Sequence, residues 1–100
     1  MTNLEALSSI TPFSANSQLF QKILIDLDIA ENGTYSVTGK NEIDYASALA
    51  CKYIVSNPNF SEGTLSVTYD KKELIKYANS IFSRLNKSEE KIITNTINFI

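Results

Sequence analysis

Apolar positions along this chain recur mostly at the helical period. Leu19, Phe20, Ile23, Leu24 and Leu27 fall at i, i+1, i+4, i+5 and i+8, which lays one apolar stripe opposite Gln18, Lys22 and Asp26 and predicts a helix over about 15–28, starting from Ser14 or Ser17. Ile43, Ala46, Leu49, Ala50, Tyr53 and Ile54 predict a second long helix over about 41–56, capped by Asn41, whose Ala46, Ala48 and Ala50 let a neighbouring helix come close. Leu74, Ile75, Ala78, Ile81, Phe82 and Leu85 predict a third over about 71–86, opened by Asp70 and Glu73 at capping-box spacing. A shorter helix over about 3–10 follows from Thr2 and Glu5 at the same spacing, and it ends before Pro12, because proline disfavours the helical conformation of the residue before it.

Two stretches depart from this period. Asn32-Gly33 marks a turn inside a loop over 29–41, with a short extended piece around Tyr35 and Val37. After Asn57-Pro58-Asn59 stops the helix before it, Thr64 to Tyr69 alternates polar and apolar residues, so Leu65, Val67 and Tyr69 share one face of a short strand or extended arm near 61–70. The last segment reads two ways. Ser88 is placed to cap a helix over 89–98 with Glu89 and Glu90 at its positive end, yet Ile92, Ile93 and Ile97 lie among other β-formers. The expected fold class is therefore mainly α, a compact bundle of four to five helices with an extended arm or hairpin near 61–70, in one domain spanning 1–100.

Composition agrees with a single folded unit. One hundred residues, 43% hydrophobic and 20% charged, are enough for one core and too apolar for a disordered chain. No apolar stretch approaches the roughly 20 residues needed to span a bilayer, so no membrane role is expected. The opening residues carry no basic cluster followed by an apolar run, and one cysteine cannot form a disulfide within the chain, so a cytosolic setting is expected.

Charge changes the picture more. Residues 1–70 hold eight acids against three lysines, net −5, whereas 71–100 hold six bases against three acids, net +3. A chain polarised this way favours head-to-tail contact between identical copies.

Candidate chemistry is sparse. The chain has no histidine, which removes the usual general base at neutral pH, the Ser–His–Asp and Cys–His arrangements and the commonest metal ligand. Cys51 lies between Ala50 and Lys52 within a helix, where adjacent side chains do not face each other, so a structural role is expected. The pairs Asp26/Asp28, Glu42/Asp44 and Glu89/Glu90 splay apart at such short spacing and build neither a carboxylate dyad nor a metal site. No catalytic residue, cofactor or metal ligand is therefore expected. Lys71, Lys72, Lys76, Arg84 and Lys87 offer a basic helix over 71–87, and the alternative function it suggests is a small DNA-binding or regulatory protein.

The order of elements resembles a known family. A short first helix, a second ending in Leu24-Ile-Asp-Leu-Asp28, an alanine-rich third over Tyr45–Tyr53, the segment Ser61–Asp70 and the helix containing Leu74–Phe82 look like the small head-tail connector proteins of tailed phages and prophages. The resemblance covers roughly 3–86 and rests on the order and texture of elements. It implies a non-enzymatic structural adaptor, a homo-oligomeric ring commonly of twelve subunits between the portal and the tail or neck proteins, located in the virion neck after assembly in the host cytoplasm. No specific nucleic-acid recognition is implied. The expected interface residues are Leu65, Val67 and Tyr69 on the arm, Lys72 and Lys76 on the basic helix, and Phe99 and Ile100 at the apolar end.

Overall fold

The computed structural model describes residues 1–12, 17–56 and 71–92 of the chain. Among them it is a mainly helical bundle with α1 (Asn3–Ile10), α2 (Ser17–Asp26), α3 (Lys40–Ser56) and α4 (Lys71–Arg84), plus single 3₁₀ turns at Val37–Gly39 and Ser88–Glu90. The arm expected near 61–70, the Asp70 end of its capping box and the segment 93–100 lie outside the described residues.

α3 is the central helix, packed by α1, α2 and α4, while the backbones of α2 and α4 stay apart. Ile43, Ala46, Ser47, Ala48, Ala50, Cys51 and Ile54 are all buried on it, more of its circumference than one stripe occupies. The small residues matter because three helices must reach one axis. Around them pack Leu7 from α1, Phe20 and Leu24 from α2, and Leu74, Ala78 and Phe82 from α4.

The ends of the helices follow local chemistry. Thr2 Oγ1 accepts from the Glu5 N–H at 3.1 Å and the Thr2 N–H donates to Glu5 Oε1 at 2.8 Å, the expected capping box. The remaining free donors of α1's first turn are met by the loop after α2. The Asn3 and Leu4 N–H groups donate to the carbonyls of Gly33 and Glu31, and the Asn3 amide donates to the Ala30 carbonyl. Position 33 is tight, because a Cβ there would stand 3.2 Å from Asn3 Nδ2 and 3.3 Å from the Ala30 carbonyl oxygen, so these neighbours would have to give by a few tenths of an ångström. The extended piece of this loop is a single antiparallel bridge between Thr34 and Thr2. α1 ends at Thr11, held extended before Pro12.

α2 and α4 end in the same way. Asp28 and Asn86 adopt left-handed conformations, each at φ 61°. The N–H groups of Asp28 and Ile29 return to the carbonyls of Ile25 and Leu24, and those of Asn86 and Lys87 to Ser83 and Phe82, a Schellman closure in both cases. Thus α2 stops at Asp26 and α4 at Arg84, two residues short of the expected ends at 28 and 86.

Two expected caps are corrected. Asn41 lies inside α3, because the Val37–Gly39 turn winds straight into Lys40, and its side chain instead accepts from Arg84. Ser88 is the first residue of a 3₁₀ turn over Ser88–Glu90 and not its cap, which is Lys87, and Lys91 leaves that turn with ψ 143°; residues 93–98 of the expected helix lie outside the described residues.

Candidate functional site

Among the described residues α2 and α4 flank α3 with their backbones apart, and one face of α3 is only partly covered between them. Tyr45, Leu49, Lys52 and Ser56 follow each other along it at i, i+4, i+7 and i+11, which keeps them on one side of the helix. This face floors a trench made of two successive hollows. The first, about 370 Å³, lies between Leu27 and Ile29 after α2 and Leu85 and Lys87 after α4, with Asn41, Glu42 and Tyr45 beneath. The second, about 390 Å³, continues over Leu49, Lys52, Tyr53 and Ser56, with Lys22, Ile23 and Asp26 of α2 on one side and Glu90 on the other.

Tyr45, Leu49 and Tyr53 give the floor its apolar part beside Asn41, Glu42, Lys52 and Ser56, and two ion pairs form among the charged residues that line it. Lys22 Nζ meets Asp26 at 2.6 Å, and that hydrogen bond raises the lysine's pKa above its ordinary value. Lys52 Nζ meets Glu90 at 3.0 Å, tying the segment after α4 to α3. Lys87 Nζ stands 4.8 Å from the centre of the Tyr45 ring, a cation–π distance. Tyr45 also packs edge-on against Phe82, with ring centres 6.0 Å apart. Burial raises the Tyr45 phenol pKa, and the neighbouring charge of Glu90 adds to the rise.

Behind the trench α4 is locked to α3. Arg84 donates to Asp44 Oδ2 at 2.6 Å and to Asn41 Oδ1 at 3.1 Å, while Lys40 reaches the same Asp44 oxygen at 2.7 Å. Deeper in, Ser47 Oγ lies between Thr11 Oγ1 and Tyr77 Oη, at 2.9 Å from each. Thr11 Oγ1 donates to the Leu7 carbonyl at 2.7 Å and Tyr77 Oη to the Ile10 carbonyl at 3.2 Å. Beyond α4, the Asn79 side chain donates to the Ile92 carbonyl at 3.1 Å and accepts from the Ile92 N–H at 2.7 Å.

Of the residues expected at an interface, Lys72 and Lys76 are exposed together on the outer face of α4, opposite Leu74, Ala78, Ile81 and Phe82. Leu65, Val67, Tyr69, Phe99 and Ile100 lie outside the described residues. The basic helix is divided by its contacts, since Arg84 turns to Asp44 and Lys87 to the Tyr45 ring. Cys51 is fully buried and burial pushes its thiol pKa up to about 12, while Lys52 turns away to Glu90. Among the described residues no group of three or more Cys, Asp or Glu side chains is placed to hold a metal ion.

The trench was not anticipated as a site. Its signal is a second apolar stripe, Tyr45, Leu49 and Tyr53 at i, i+4 and i+8, beside the stripe of Ile43, Ala46, Ala50 and Ile54. Among the described residues this second stripe is covered only in part, with Tyr45 and Leu49 half-buried against the core and Tyr53 exposed.

Fold and surface together define a small helical bundle with an open, largely apolar trench. The chain belongs to the family of unknown function DUF6706, which it matches over residues 1–99. No curated protein and no solved structure matches it.

Proposed function

We propose that this chain is a non-enzymatic structural adaptor that assembles with copies of itself into a ring at the portal–tail junction of a phage particle. The observation that carries the self-association is the trench along α3, a largely apolar surface on which Lys22 pairs with Asp26 and Lys52 with Glu90, which favours a protein partner over a charged small ligand. The opposed charge of the two parts of the chain supports a contact between unlike surfaces, the kind that closes into rings. The placement in a phage neck rests on the resemblance of the element order to head-tail connectors.

Mass photometry of the chain alone and with a portal protein tests this reading. The expected result is a closed oligomer whose formation is promoted by portal. A chain that stays monomeric at high concentration and ignores portal overturns it. A salt-dependent shift of duplex DNA without assembly replaces it with the DNA-binding alternative on the basic helix.

A further inference from the structure

We propose that the trench of one copy is the docking site for residues 93–100 of the next copy. This rests on the self-association proposed above and names the surfaces that carry it.

The course of the chain after α4 supplies the argument. Leu85 and Lys87 border the trench where Asn41 and Tyr45 floor it, and Glu90 borders it at Lys52. The segment therefore follows the trench wall in the direction of α3, toward Ser56. At Ile92 the two hydrogen bonds of Asn79 turn it onto α4, away from the α2 wall. To lie in its own trench the chain has to reverse within residues 93–100, which hold no glycine or proline and leave such a turn to Asn95 or Asn98.

Length argues the same way. The open face from Asn41 to Ser56 measures about 22 Å at the helical rise. Eight extended residues reach about 26 Å, enough to fill the trench when all eight enter from outside. Residues 93–100 carry no charged side chain, and Ile93, Ile97, Phe99 and Ile100 supply apolar groups. Such a segment suits the apolar surface of Tyr45, Leu49 and Tyr53, beside which Lys22 pairs with Asp26 and Lys52 with Glu90. Each copy then gives one segment and receives another, a head-to-tail contact.

Two full-length variants test this by complementation. Phe99→Asp spoils the donated segment and leaves the trench intact. Tyr53→Lys, at a side chain 37% exposed, spoils the trench and leaves the segment intact. Circular dichroism first establishes that both keep the helical content of the unsubstituted chain; a Tyr53→Lys variant that unfolds is replaced by Tyr53→Ser. Each variant alone is expected to lose assembly in sedimentation velocity, while an equimolar mixture forms a one-to-one dimer and nothing larger, because only one intact contact remains. Full assembly of either variant alone overturns the proposal and leaves the ring reading standing. Monomers that stay monomeric on mixing overturn it too, and assign the segment to its own trench if Phe99→Asp also lowers the melting temperature. An unsubstituted chain that never assembles overturns the ring reading itself.

Discussion

Ser47 on α3 and Tyr77 on α4 are joined by a hydroxyl–hydroxyl hydrogen bond of 2.9 Å, and Ser47 has one proton for two acceptors. Tyr77 donates to Ile10 and Thr11 donates to Leu7, so the Ser47 proton goes either to Tyr77 Oη or to Thr11 Oγ1, both 2.9 Å away. Ser47 and Thr11 are buried, and every buried side-chain polar atom among the described residues has a partner. The arrangement ties the end of α1, the middle of α3 and the middle of α4 at one point, and it fixes the register of α4 on the helix that floors the trench.

Removal of either end of this chain leaves Ser47 with the other acceptor. Tyr77→Phe and Thr11→Val are therefore each expected to cost about 1 kcal/mol in urea denaturation. The double variant strands a buried hydroxyl and is expected to cost about 1 to 2 kcal/mol more than the sum of the singles. Additive costs would mean that Ser47 turns instead to the carbonyl one turn back on its own helix.

Alkaline pH should unfold the protein through Cys51, Tyr77 and Tyr45. Burial raises all three above their ordinary values, the thiol from 9.0 to about 12, and for Tyr77 the hydrogen bond from Ser47 only partly offsets it. A raised acid group binds its proton more tightly in the folded state. The stability it contributes is complete below the unfolded pKa and is lost as pH rises toward the folded one. Between pH 9 and 12 the thiol alone gives a slope of about 1.4 kcal/mol per pH unit. Cys51→Ala should flatten the fall of stability just above pH 9 in chemical denaturation followed across that range. An unchanged slope would remove the thiol from the account.

The two left-handed helix ends allow a gain and a loss at one position. Asn86→Gly removes the steric conflict of a Cβ at φ 61° and is expected to raise stability slightly, whereas Asn86→Ala should lower it by about 1 kcal/mol. Thermal melting of the two variants should bracket the unsubstituted chain. If both melt below it, the Asn86 side chain makes a contact that outweighs its backbone strain.

Much of this architecture is legible in single stretches of sequence. The helix containing Leu74 and Phe82 announces itself by period, and α1 is delimited by Thr2, Glu5 and Pro12, because capping and proline geometry act within one turn. The left-handed ends at Asp28 and Asn86 are less legible, since aspartate and asparagine there resemble ordinary loop residues until the closing hydrogen bonds are seen. Asn41 shows the limit of local rules. It has the chemistry of a cap, but a 3₁₀ turn runs into the helix ahead of it and leaves its side chain for Arg84.

The sequence by itself determined the helical class, the places of α1 to α4, the uneven charge and the scarcity of catalytic side chains, all of which depend on composition or on neighbours a few residues apart. Only the tertiary structure decided that α3 is central, that Ser47 gathers hydroxyls from residues 36 and 30 positions away, and that α2 and α4 stand apart over Tyr45 and Leu49. The physical reason is that a helical period states which residues share a face but not how many neighbours that face receives. On α3 the described neighbours bury one apolar stripe and cover the second only in part, and that second stripe is the surface from which a function is proposed.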